Sequence, residues 1–224
     1  MPQGITRQPV PPTLAPDLMV GEGDTFAWER GLHAQGYAWV AGLDEVGRGP
    51  LAGPVVAACV VLPRDCPYHL YKDSKRLTPA ARERLAKEIR EIACWGLGLV
   101  SEAEIDRINI LQASLLAMRE ALSGLALRPD FLLVDGKFPV PVSTPQRPLV
   151  RGESQSASIA AASIVAKVAR DCLMREYHHQ YPQYGFDRHQ GYPTAVHRRA
   201  LAEFGPCPIH RRSFAGVREF FVAP

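Results

Sequence analysis

Two apolar, β-rich runs, residues 37–45 and 54–62, are joined by Val46-Gly47-Arg48-Gly49-Pro50-Leu51-Ala52-Gly53. Runs so close in sequence pair as a hairpin. Three glycines in the connection indicate backbone angles closed to other residues, or close approach by another group. The first run ends on Asp44-Glu45, which places two carboxylates at the mouth of that hairpin.

Helices and strands alternate downstream. Asp24 caps a helix running to about His33 and ended by Gly36. Thr78-Pro79 is a cap followed by a first-turn proline, and Leu85, Ile89 and Ile92 give that helix an apolar stripe. Residues 96–100 read as a third strand. Ser101 and Glu104 form a capping box for a helix reaching about Leu122. Phe131-Leu132-Leu133-Val134 is an apolar run closed by Asp135-Gly136, the pattern of a buried strand. The carboxyl end of such a strand is where open α/β sheets usually place their chemistry. Residues 156–177 form the strongest helix, and another spans Thr194 to Phe204 before Gly205-Pro206. This order predicts one α/β domain with a mixed sheet. Residues 1–23 carry Pro2, Pro9, Pro11, Pro12 and Pro16 with little periodicity, which predicts a flexible tail.

Composition narrows the class. With 46% hydrophobic and 22% charged residues, the chain has enough apolar material for a substantial core. No apolar run reaches the ~18 residues needed to span a bilayer, and residues 1–23 lack the order of a signal peptide. A cytoplasmic protein without a membrane role is expected, and a monomer, since no interface stripe is evident. Cys59, Cys66, Cys94, Cys172 and Cys207 form no C-x-x-C pair, so they read as small buried hydrophobes. A net charge of +3 decides nothing, but it gathers in His197-Arg198-Arg199, His210-Arg211-Arg212 and Lys72 with Lys75-Arg76. Such clusters can follow a phosphate backbone or simply be solvated.

Four acids stand where acids are costly. Asp44 and Glu45 end one apolar run and Asp135 another. Asp171 lies seven residues after Ile164, on the helical face of Ala157, Ala161, Ile164 and Val168. Each has a plainer reading. Asp171 can pair with Lys167 one turn earlier, Asp135 can begin a turn, and Glu45 can face solvent. Taken together, an acid set without Cys or His ligands suits Mg²⁺ or Mn²⁺, and phosphodiester cleavage is chemistry that needs it.

Ala41-Gly42-Leu43-Asp44-Glu45-Val46-Gly47-Arg48-Gly49-Pro50-Leu51-Ala52-Gly53-Pro54 resembles the opening motif of the ribonuclease HII family. Lys72-Asp73-Ser74-Lys75-Arg76-Leu77-Thr78, Leu133-Val134-Asp135-Gly136, the helix from Ser156 to Asp171, Gly191-Tyr192-Pro193-Thr194 and His210-Arg211-Arg212-Ser213-Phe214 follow in the family's order. The resemblance implies a ribonuclease H-like α/β fold, a mixed five-stranded sheet flanked by helices with a small C-terminal helical part. Residues 24–180 would be catalytic and 181–224 substrate-binding. It implies hydrolysis of the RNA strand of RNA–DNA hybrids and incision of duplex DNA 5′ of an embedded ribonucleotide. Asp44, Glu45, Asp135 and Asp171 would be catalytic and hold two Mg²⁺ or Mn²⁺ ions. Gly47, Arg48 and Gly49 would meet the ribose 2′-hydroxyl, the group that distinguishes RNA from DNA. Tyr192 would pack on the junction sugar, or else be a plain core tyrosine. Ser74 and Lys75 would bind phosphate, or else belong to a capped turn. Phe220-Phe221 would dock a sliding clamp or cover the core.

Two positions depart from the family. Glu153 stands where Asp is common, keeping its charge on a longer arm, and Gln190 replaces a common lysine before Gly191. The related HIII type usually has lysine at Arg48 and a substantial N-terminal domain. Three other readings remain: a nuclease of long hybrids alone, an inactive nucleic-acid or clamp-binding module, and a P-loop. The glycine-rich loop beside the acids opposes the first, and the four acids oppose the second. The absence of a Gly-Lys-Ser/Thr closure opposes the third.

Overall fold

The computed structural model describes residues 24–71 and 77–221. Ser74 and Lys75, with the third basic cluster and the proline-rich segment 1–23, lie outside the described residues. Strands β1 (Val40–Val46), β2 (Val55–Val61), β3 (Cys94–Val100), β4 (Phe131–Asp135) and β5 (Gln146–Leu149) form one sheet in the order β3-β2-β1-β4-β5. The β1–β2 hairpin and the β2–β3 pair are antiparallel, while β4 runs parallel to β1 and β5 parallel to β4. The sheet is mixed and five-stranded, as the family resemblance implies.

Helices cover both faces. Helices α1 (Ala27–Ala34), α2 (Pro79–Ile92) and α5 (Ala157–Gln180) bury their apolar residues on one side. Helices α3 (Glu102–Ile108) and α4 (Ile110–Ser123) cover the other. Helices α6 (Phe186–His189) and α7 (Ala195–Phe204) follow, and their core joins Tyr184, Phe186 and Ala200 to Met174 of α5 and Ala52 of the hairpin loop. No helix among the described residues is long and apolar enough to cross a membrane.

Local chemistry sets most boundaries. Thr78, Ser156 and Thr194 each accept a backbone N–H of the first turn of the helix they precede. Asp24 accepts the N–H of Phe26, and α1 begins one residue later. The helix expected from Ser101 to Leu122 is instead two helices. Asn109 adopts φ 70° and its Oδ1 accepts from Leu111 and Gln112, ending α3 and capping α4 at once. The capping box is only half formed, because Glu104 turns its carboxylate to Arg107. In the α2 stripe, Leu85 and Ile89 are buried but Ile92, in the last turn, is exposed. Cys59 and Cys66 are buried, whereas Cys172 is exposed on α5, contrary to its reading as a core hydrophobe.

Gly42 fixes how closely α5 lies on β1. A Cβ there would stand 2.1 Å from the carbonyl carbon of Ser158, so only glycine lets the helix rest on the strand.

Candidate active site

The parallel register pairs Leu43 with Val134, which brings the next residues, Asp44 and Asp135, level on adjacent strands. Side chains alternate along a strand, so both carboxylates leave the sheet toward α5. The third acid of this group is Glu153. It sits in a 3-10 turn, Gly152–Ser154, entered through Arg151 at φ 58°. That turn is tied to β4, because Asp135 Oδ1 accepts the Gly152 N–H at 2.7 Å. One carboxylate oxygen from each of Asp44, Asp135 and Glu153 lies within 4.8 Å of the others.

Like charges in a dry site strain one another. Burial pushes the Asp44 carboxyl well above the usual carboxylate range, and the charges of Glu45, Asp135 and Glu153 push it further, against a hydrogen bond from Ser163. Asp44 Oδ1 also accepts the Glu45 N–H at 2.7 Å. Glu45 points to the opposite face of the sheet and still escapes solvent, its side chain being 8% exposed. Burial raises its pKa, and Arg48, with Nη1 3.0 Å from Oε1, holds it down. The donor set is all oxygen, which suits a hard divalent ion.

Asp171 stands apart from this group. Its Oδ1 accepts from Lys167 Nζ at 2.6 Å, and its Oδ2 from Arg82 Nη1 at 3.4 Å. Helical periodicity sets the direction of a side chain and not its position along the helix. Asp171 lies eight residues, about 12 Å, beyond Ser163. There α5 meets α2 and Gln190, and Asp171 lines a cleft between them. The plainer pairing with Lys167 is the arrangement the structure holds.

The glycine-rich loop is clamped from behind by two buried arginines. Arg211 donates to the carbonyls of Gly47 (2.6 Å), Arg48 (3.0 Å) and Gly53 (2.7 Å). Arg170 donates to Pro54 (3.0 Å), Ala52 (3.2 Å) and Gln190 (3.0 Å). Gly47 adopts φ +96°, and a Cβ there would meet Arg170 Nε at 2.2 Å. Gly49 is different, since a Cβ would find only Tyr192 Cε1, at 3.7 Å. Tyr192 is 39% exposed beside Gly49 and is no plain core tyrosine.

The C-terminal basic clusters are divided by burial. His197, His210 and Arg211 are buried, so they do not follow a phosphate backbone. Burial and the neighbouring Arg170 bring the Arg211 guanidinium down to about 9. The Gln190 side chain donates to the Asp187 carbonyl. Phe220 and Phe221 are both about half exposed, with Arg212 over the Phe221 ring at 4.7 Å, so they do not seal the core.

Sequence reasoning did not assign Arg170 or Glu29. Glu29 is buried on α1, and its Oε1 accepts from Ser156 Oγ (2.6 Å) and the Ser158 N–H (2.9 Å), holding the start of α5. Burial raises its carboxyl pKa. Neither residue has a local sequence signature, since the partners of Glu29 and two of the three carbonyls that Arg170 holds lie more than a hundred positions away.

The model of the family described as ribonuclease HII matches residues 41–217. The chain belongs to the ribonuclease HII family. Ribonuclease HII of Desulfotalea psychrophila is 59% identical over 201 residues, covering 88% of this chain and 89% of that protein. Among solved structures, ribonuclease H2 of Pyrococcus horikoshii aligns with TM-score 0.68 at 28% identity, over 81% of this chain and 96% of that one. The ribonuclease HII of Archaeoglobus fulgidus, solved in complex with PCNA, aligns with TM-score 0.68 at 26% identity, over 79% of this chain and 95% of that one. As a member of this family the protein is a metal-dependent nuclease that cleaves the RNA strand of RNA–DNA hybrids.

Proposed function

We infer that the protein also incises duplex DNA 5′ of a single embedded ribonucleotide, leaving 5′-phosphate and 3′-hydroxyl ends. The observation that carries this reading is the meeting of Asp44, Asp135 and Glu153 beside a glycine-rich loop whose carbonyls are pinned from behind. Asp44, Glu45, Asp135 and Glu153 would hold two Mg²⁺ or Mn²⁺ ions. Glu153 replaces Asp171 in this role, because Asp171 is engaged by Lys167 and Arg82. Such ions, when bound, activate a water and stabilise the leaving oxygen of an in-line displacement.

The remaining work falls to the chain itself. Gly47, Arg48 and Gly49 present backbone to the ribose 2′-hydroxyl, and Tyr192 packs on the junction sugar. Arg170 and Arg211 keep that loop in one shape, so the 2′-hydroxyl is met by groups already in place. Ser74 and Lys75 bind phosphate. Residues 24–180 form the catalytic part and residues 181–224 the substrate-binding part. Cytoplasmic residence and a monomeric chain belong to the same proposal. So does a sliding-clamp contact through the C-terminal tail, which the exposed Phe220 and Phe221 support.

The test is cleavage of a labelled DNA duplex containing one ribonucleotide, with Mg²⁺, Mn²⁺ or chelator, and an all-DNA control. One metal-dependent cut just 5′ of the ribonucleotide is expected. Cleavage of long hybrids alone would replace this reading with a broader nuclease.

A further inference from the structure

Beyond Asp135 the chain turns sharply at Gly136, φ +104°, and throws Lys137 and Phe138 to the surface. Phe138 is 51% exposed. The Lys137 ammonium is exposed and makes no ion pair or hydrogen bond among the described residues. Both residues line a groove on the α4 side of the sheet, whose other walls include Glu45 and Asp135. Ser114 of α4 lines it too, and its buried hydroxyl has no partner among the described residues. The groove therefore combines a free cation, an uncovered ring and an unsatisfied hydroxyl at the edge of the acid group.

Tyr192 stands beside Gly49, on the glycine-loop side of the acids. Phe138 follows β4 directly and shares its groove with Glu45 and with Arg48 of the glycine-rich loop. A nucleic-acid strand that runs from the glycine-rich loop along this groove would pass Arg48 and then meet Lys137 and Phe138. Leu115 also lines the adjoining groove, which carries the exposed Arg119, so the path continues along α4 with a further positive charge. Polyanion backbone, sugar faces and hydroxyl partners are what this surface complements.

We propose that Lys137 and Phe138 form a second grip on the nucleic-acid strand, Lys137 on a phosphate next to the scissile one and Phe138 on the adjoining sugar. The proposal rests on the acid group being the cleavage site, yet the grip itself needs no metal. Its test can therefore run without turnover.

The experiment is fluorescence anisotropy of a labelled RNA–DNA hybrid in chelator, at several salt concentrations, with the whole chain. Lys137→Ala should weaken binding about fivefold or more and lower the salt slope by about one, the loss of one phosphate contact. Phe138→Ala should weaken binding by a similar factor and leave the slope unchanged, with Phe138→Trp restoring most of the affinity. Lys87→Ala, which removes an exposed charge on α2, should change neither. Wild-type binding by both groove variants would overturn the proposal, as would an equal loss in Lys87→Ala, which would reduce the effect to net charge. Absence of metal-dependent cleavage, with these binding differences intact, would overturn the reading of the acid group and leave the grip standing.

Discussion

Nη2 of Arg211 donates to the carbonyl of Gly47 across 164 positions of sequence, at 2.6 Å and out of contact with solvent. The bond joins the C-terminal part to the loop proposed to sense the ribose. The same guanidinium also holds the Arg48 and Gly53 carbonyls. Removing it leaves several buried acceptors without donors, at about 1–3 kcal/mol each. Arg211→Ala should lose at least ~3 kcal/mol of stability by urea denaturation. Arg211→Lys, which carries donors but no planar fork, should recover only part of it. An Arg211→Ala protein as stable as the parent would remove the clamp from this account.

Gly47 and Gly49 should respond oppositely to a methyl group. At Gly47 alanine meets both a positive φ and the Arg170 side chain, so Gly47→Ala should destabilise the fold by more than ~1 kcal/mol. At Gly49 the added carbon is in ordinary contact with Tyr192. Gly49→Ala should therefore melt within a degree or two of the parent, while a bulkier Gly49→Val erodes discrimination between ribo- and deoxyribonucleotide duplexes. Comparing thermal melts with relative cleavage rates on the two duplexes checks both halves. Unchanged discrimination in Gly49→Val would count against the loop as sensor.

The acid group separates what a sequence displays from what it conceals. Asp44 and Asp135 were readable because each closes an apolar run, and a parallel register then levels them. Glu153 was noted only for departing from the family's residue, since it lies in a short turn with no periodicity to announce it. Asp171 looked inward by helical spacing, yet that spacing gives no position along a helix that outruns the sheet. Strand β5 escaped notice for a related reason. Gln146–Leu149 contains Pro148 and two polar residues, the composition of an edge strand. Of the arginine clamp, Arg211 was hidden inside what looked like a basic surface cluster, and Arg170 inside the long helix α5.

Substitution of the acids should follow the geometry. Asp44→Asn and Asp135→Asn should each lower cleavage by about 10²- to 10³-fold or more, and Glu153→Gln should do the same. Asp171→Asn should keep cleavage within about tenfold, its loss being an ion pair between helices α2 and α5. Metal should also raise the melting temperature of the parent, because an ion that binds only the folded chain stabilises it. That rise should shrink in Asp44→Asn and persist in Asp171→Asn. A flat melting temperature in Asp171→Asn, with cleavage abolished, would return Asp171 to the metal site.

The C-terminal part should be weakened by acid through two histidines. His197 and His210 share a contact of 3.1 Å between their Nε2 atoms, packed against Tyr184 and Phe186. Burial lowers each to about 4, with His197 adding to the effect on His210 and His189 to that on His197. Backbone carbonyls of Tyr192 and Cys207 pull the other way. In the unfolded chain both titrate near the ordinary ~6.5. Between these values the unfolded chain binds protons that the folded chain refuses, so the pair costs stability as pH falls from about 6.5 to about 4. Above that window they contribute no slope. The buried acids Asp44, Glu45 and Glu29 are raised and act in the opposite direction, so the histidine effect must be read as a difference. The urea midpoint of the parent, followed from pH 7.5 to 5, should lose more than that of a His210→Gln variant over the same interval. Parallel curves for the two proteins would mean that the histidines do not carry the acid sensitivity.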